Sequence, residues 1–176
     1  VGDIIFTEFM ANPAVVTDAM GEWLEVYNTT DEAIDINGWK LYESNDNPHV
    51  ITSADPVIVQ AGGYLALTLT CDPETNGGIT PGYCYEGGVV DDLVNPGIFL
   101  NNDLDSITLS WSDIVIDELN YDIDAGWTVT AGASTQLSEG SHDGVANNAD
   151  TAWCTATEPF AEGDLGSPGE ANEACP

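Results

Sequence analysis

The sequence predicts an all-β fold, an antiparallel β-sandwich followed by a long irregular tail, and three observations carry that prediction. Apolar residues come in short, often alternating runs, and helical periodicity never persists. Clusters of Gly, Pro, Asn and Asp interrupt these runs throughout, as they do between the strands of a sandwich. The four cysteines fall as two local couples, Cys71 with Cys84 and Cys154 with Cys175, the second of them in the tail.

Taken in order, strands are expected at residues 3–10, 22–28, 39–43, 57–59, 64–69, 98–100, 106–111 and 114–119, with a weaker one at 127–129. In 22–28 the pleat sets Glu22, Leu24, Val26 and Asn28 on one face and Trp23, Glu25 and Tyr27 on the other, so the second face mixes aromatic and acid. A carboxylate between two aromatics is expected to be half-buried and to take its donors from backbone N–H groups of a neighbouring loop, with metal ligation the rival role. Glu8 holds the same place in the first strand, between Thr7 and Phe9. Asn37-Gly38 supplies a turn with positive φ before a strand whose Trp39 packs inward. Ser112-Asp113 is all that separates two strands, which predicts a tight hairpin. From about Gly132 the strand signal fades into Gly, Ala, Ser, Asn and Asp, predicting an ordered tail over residues 131–176 with Trp153 beneath it and a sandwich over 3–130, all one domain of 176 residues.

Charge excludes most partner classes. Thirty-one acidic residues stand against one basic residue, Lys40, for a formal charge of -30. A nucleic-acid binder places Lys and Arg on phosphates, and this chain has a single Lys to place. An anionic membrane surface repels it likewise. With 43% hydrophobic residues, five Trp, six Tyr and four Phe, the acid coats a folded core rather than a disordered chain. Four cysteines without CxxC spacing fit two disulfides better than zinc; Cys71–Cys84 would close a Gly/Pro-rich loop and Cys154–Cys175 would pin the tail, while the other two pairings stay open. Disulfides imply an oxidising, exported location, secreted or at the cell surface. No apolar run reaches bilayer length and no signal peptide is present, so the chain reads as mature or as an excised domain, and as a monomer.

Calcium is the only cofactor the residues argue for, since hard cations take oxygen ligands from Asp, Asn and carbonyls in loops. The first candidate is Asp143-Gly144 with Asn147, Asn148 and Asp150, whose rival reading is a surface turn rich in Asx residues. A second, Asn101, Asp103 and Asp105, begins like an EF-hand loop and fails after it, with Ser106 where the turn Gly belongs and Ser112 where the bidentate Glu belongs. Catalysis has little support. Ser141-His142-Asp143 are chain neighbours and so point different ways, whereas a triad converges from separated positions.

Five pieces in register resemble the bacterial version of the lamin-tail domain: residues 4–13 (IIFTEFMANP), 21–28 (GEWLEVYN), 34–41 (IDINGWKL), 105–109 (DSITL) with the strand at 117–121, and the closing Trp153 with 167–172 (SPGEAN). The resemblance implies an immunoglobulin-like sandwich and an exported accessory domain of the kind joined to hydrolases, nucleases or surface-anchoring modules. It implies no reaction. Two departures stand out: the acidity, which puts lamin-like nucleic-acid binding out of reach, and the Cys71 to Cys84 excursion, which reads as an insertion. The function expected is therefore a non-catalytic module for adhesion, surface attachment or presentation of a partner domain, its partner an unidentified protein or cell surface. The alternative is a secreted hydrolase whose acidic site is built by that excursion and the tail.

Overall fold

A computed structural model describes residues 1–43, 48–90, 93–161 and 163–176. Its strands are β1 (Ile4–Met10), β2 (Trp23–Asn28), β3 (Ile34–Asp35), β4 (Lys40–Tyr42), β5 (His49–Val50), β6 (Ile58–Val59), β7 (Tyr64–Thr68), β8 (Tyr83–Cys84), β9 (Gly88–Val90), β10 (Leu93–Asn95), β11 (Leu104–Trp111), β12 (Ile114–Asp122), β13 (Thr135–Leu137) and β14 (Trp153–Thr155). Among the described residues these form a six-stranded sheet in the order β14-β13-β1-β2-β7-β8, a four-stranded sheet β12-β11-β4-β5, and two small pairs, β3 with β6 and β9 with β10. The two larger sheets enclose the main core, where Phe6, Leu24, Val26 and Leu67 meet Leu41, Ile107, Leu109 and Leu119. This is the expected immunoglobulin-like sandwich.

The long strands form where alternation is strongest. The β11–β12 turn is the expected hairpin: Ser112 and Asp113 both take left-handed φ, 50° and 63°, the pair of values a type I′ turn needs to match strand twist. Trp39 is buried, and its ring stacks 6.1 Å from Trp111 beside that turn. Among the strand pairs of the described residues, one departs from antiparallel. β8 runs parallel to β7, with Leu67 beside Tyr83 and Thr68 beside Cys84, because the excursion leaves β7 and returns along its edge in the same direction. The Cys71–Cys84 disulfide closes that return, and Cys154 bonds Cys175 in the tail.

Two expected strands are absent. Residues 98–100 and 127–129 are not strands, although Ile98 and Leu100 are buried and Trp127 packs against the core. Their backbone donors go elsewhere: Leu100 donates to the Glu22 carboxylate and Trp127 to the Asp122 carbonyl. Conversely, the stretch beyond Gly132 contributes β13, which pairs with β1 inside the six-stranded sheet, and β14 at its edge. Three-residue strands carry too little alternation to register as strands in sequence.

β1 is buried at every position because both of its faces are covered. Its inner face meets the main core. On its outer face Met10 joins Trp23, Ala66 and Ile79 in a second apolar cluster, closed over by Phe160 of the tail.

Candidate functional site

A row of polar side chains crosses the outer face of the six-stranded sheet. Glu25 of β2 stands opposite Glu8 of β1, Glu8 opposite Gln136 of β13, and Gln136 opposite Cys154 of β14. A bulge at Thr7 sets this register, since Phe6 pairs with Val26 and Glu8 with Glu25, leaving Thr7 as the extra residue. The tail runs over the row and is held by it. Ser167 donates its N–H (3.0 Å) and hydroxyl (2.9 Å) to Glu8, and Ser134 donates a further hydroxyl. Gly169 N–H donates to Glu25 at 2.7 Å, and Thr7 hydroxyl to the other oxygen at 2.8 Å. Asn172 donates its amide to the Thr7 and Leu137 carbonyls, and Cys175 is bonded to Cys154.

The local sequence explains the fit. Ser167-Pro168-Gly169-Glu170 is a turn closed by Glu170 N–H on the Ser167 carbonyl, with Pro second and Gly169 third at φ 85°, the residues a type II turn favours. It aims the Ser167 and Gly169 N–H groups inward and leaves Glu170 exposed. Gly166 precedes it because nothing larger fits: a Cβ there would lie 2.8 Å from the Ser134 hydroxyl and 2.9 Å from Glu8.

The same device recurs across the molecule. Glu22 accepts Leu100 N–H, Asp117 accepts Phe6 N–H and the Asn147 amide, Asp105 accepts N–H groups of Asn101 and Ser106, and Asp164 accepts those of Ala14 and Val15. Asn28 plays the part from the donor side, its amide reaching the Glu32 and Val59 carbonyls. The cause is compositional. The single Lys40 pairs with Asp113 at the hairpin, 3.3 Å away, so no Lys or Arg remains for buried carboxylates and the chain's own N–H groups satisfy them.

Glu8 and Glu25 are wholly buried rather than half-buried, because the tail covers a face that an isolated hairpin would expose. Burial is the main force on their acidity. It lifts Glu8 to about 7 against the hydrogen bonds from Ser134 and Ser167, and lifts Glu25 well above its ordinary range, the negative charge of Glu8 adding to it. Burial likewise lifts Glu22 to about 8 and Asp117 to about 7.

The residues nominated for calcium are held in different ways. Asp143 uses its carboxylate to cap Val145 and Ala146 N–H groups in an exposed turn. Asn147 turns inward to Asp117, and its carbonyl accepts the Trp153 indole N–H at 2.7 Å. Asp150 is half-exposed, its carboxylate beside Gly126. In the other loop Asp105 is buried under Asn101 while Asp103 is exposed and offers its carbonyl to Ile123 N–H. Among the described residues no three His, Cys, Asp or Glu side chains gather to hold a metal ion. Ser141, His142 and Asp143 do not face one another: the His142 ring lies 4.4 Å from that of Tyr27 and meets the Tyr64 hydroxyl at 3.3 Å, away from the capping Asp143.

Beside the carboxylate row lies a groove of about 520 Å³, walled on one side by the Cys71–Cys84 excursion through Ile79 and on the other by Phe160 and Pro168 of the tail. Glu158, Glu170 and Glu173 line it as well. Sequence reading missed the roles of Asp117 and Asp164 and the groove's apolar wall. Asp117 alone left a signal, an acid directly after the apolar run Ile114-Val115-Ile116 in β12.

Over residues 1–165 the chain matches the family described as Lamin Tail Domain. The chain belongs to that family. This lamin tail domain shares the family's immunoglobulin-like fold, and the family is a non-enzymatic one. The match ends just before Ser167, so the turn held by Glu8 and Glu25 lies beyond it. No curated protein matches the chain. Its two disulfides are of a kind that persists in oxidising compartments, and no helix among the described residues is long and apolar enough to cross a membrane.

Proposed function

We propose that this lamin tail domain is a non-catalytic, exported module that attaches to a surface or presents a partner domain. The observation that carries the reading is the use made of the buried acids. Glu8, Glu22, Glu25 and Asp117, the carboxyls whose acidity burial has shifted, each accept a backbone N–H from a remote segment. A catalytic carboxyl needs a substrate proton within reach, whereas these four lie under other parts of the chain and lock a rigid frame. The disulfides and the strongly acidic composition support export into an oxidising, salt-containing exterior.

The hydrolase reading draws on one observation, that the groove lies between the excursion and the tail with glutamates along it. Glu158 and Glu170 are solvent-exposed there, outside any dry, enclosed site. The test is an assay of the purified domain on two fronts. Saturable binding of the labelled domain to cell-envelope preparations, lost when the envelope proteins are digested, is the expected result. Turnover of chromogenic glycoside, ester or phosphodiester substrates that disappears in Glu158→Gln would replace the module with the enzyme.

A further inference from the structure

We propose that the groove between the excursion and the tail is a docking site for an extended, basic polypeptide segment of a partner protein, one that alternates Lys or Arg with apolar residues. The inference rests on the module reading above and names the chemistry of its partner.

The groove has a mixed polar and apolar lining, and the fold holds its apolar part still. Ile79 is buried and belongs to the disulfide-closed excursion. Phe160 meets Trp23 edge-on, ring centroids 6.1 Å apart at 90°, so the aromatic wall is anchored to β2. Pro168 sits in the turn whose two neighbours are tied to Glu8 and Glu25. A wall so fixed loses little freedom when a ligand packs on it.

Charge then selects the occupant. Glu158 and Glu170 are exposed, and Glu173 is half-buried and receives the Thr157 hydroxyl at 2.8 Å. The chain has no Lys or Arg to offer them, since its single Lys40 is paired with Asp113 at the β11–β12 hairpin. An anionic peptide is repelled, and a purely apolar one leaves the carboxylates unanswered. Lys and Arg satisfy both demands: their aliphatic stems lie along Phe160 and Pro168 while their heads reach the carboxylates. About 520 Å³ suits a few residues of a peptide rather than a bare metal ion.

The test titrates the intact domain, at about 0.15 M NaCl, with a fluorescent hexapeptide of alternating arginine and leucine, against one of alternating arginine and glycine. Saturable one-to-one binding of the arginine–leucine peptide, tighter than that of the arginine–glycine peptide, is expected. Glu158→Gln with Glu170→Gln should weaken it about thirtyfold, the sum of two exposed ion pairs at the upper end of their contribution. Asp31→Asn with Asp55→Asn removes the same charge from exposed positions elsewhere and should leave it unchanged. Phe160→Leu should narrow the difference between the two peptides, with thermal melting of the variant confirming its fold. Equal binding of both peptides, or equal loss in the two charge-removal variants, means diffuse attraction to an acidic surface and overturns the site. Absence of peptide binding together with intact envelope binding sinks the groove alone, whereas substrate turnover sinks the module reading itself.

Discussion

Glu8 and Glu25 face each other directly across the β1–β2 ladder, both without solvent exposure, and each holds a different residue of the turn at 167–170. Two like charges opposite one another in a dry site would be destabilising, so the pair keeps a proton into the neutral range.

That proton makes stability depend on pH with a definite sign. The folded values of Glu8, Glu22 and Asp117 are raised to about 7, 8 and 7 above ordinary carboxyl values of 4.5, 4.5 and 3.8, so the folded state binds more protons between those limits. The contribution is full below the unfolded values and is lost as pH rises through the folded ones. Melting temperature at fixed ionic strength should therefore fall from about pH 5 to about pH 8, a window set by these shifts. Glu8→Gln with Glu25→Gln should flatten the profile around 7, and Glu22→Gln its upper end. A profile that rises over this window would contradict the assignment.

Asp117 ties three segments together, through Phe6 N–H, the Asn147 amide and, beyond it, the Trp153 indole. Asp117→Ala leaves buried donors unmatched, at about 1 to 3 kcal/mol for each. Asp117→Asn keeps an acceptor and should lose less. Urea denaturation gives the energies. Hydrogen exchange at the Trp153 indole, accelerated in the Ala variant, reports whether the tie reaches that far.

The two disulfides should contribute unequally. In the chain-entropy account each is worth about 2 to 4 kcal/mol, more for the longer loop. Cys154–Cys175 spans 21 residues and Cys71–Cys84 spans 13, so replacing both cysteines of the first pair by serine should lower stability somewhat more. Limited proteolysis should then cut the tail first. Cutting in the excursion instead would show that the Glu8 and Glu25 contacts hold the tail unaided.

Thirty net negative charges repel one another at low ionic strength and are screened within about 10 Å at 0.1 M salt. Melting temperature should rise with NaCl. Because Asp143 caps Val145 and Ala146 while Asn147 turns inward to Asp117, CaCl2 at equal ionic strength should match the monovalent rise, and a larger, Asp143-dependent shift would reveal a calcium site in that loop.

Residue by residue, what could be read in advance follows the range of the interaction. Short apolar or alternating runs in β1, β2, β7, β11 and β12 are a local property, as are the Ser112-Asp113 turn and the short spacing of each cysteine couple, and all of these were legible in the chain. That Glu8 and Glu25 would seek backbone donors was legible too, because an acid beside aromatics on a packed strand in an arginine-free chain has few alternatives. Their donors were not. Ser167 lies 159 residues from Glu8, and Gly169 lies 144 from Glu25, so no periodicity connects them.

By itself the sequence determined the sandwich, its long strands, its acidic surface and its cysteine couples, since periodicity, turn chemistry and charge act between near neighbours or over the whole surface at once. Only the tertiary structure decided which acids are wholly buried, that β13 enters the sheet beside β1, and which residues wall the groove where excursion and tail meet. Burial is conferred by whatever segment arrives from elsewhere in the chain, and a three-residue strand is stabilised by the ladder it joins rather than by its own propensity.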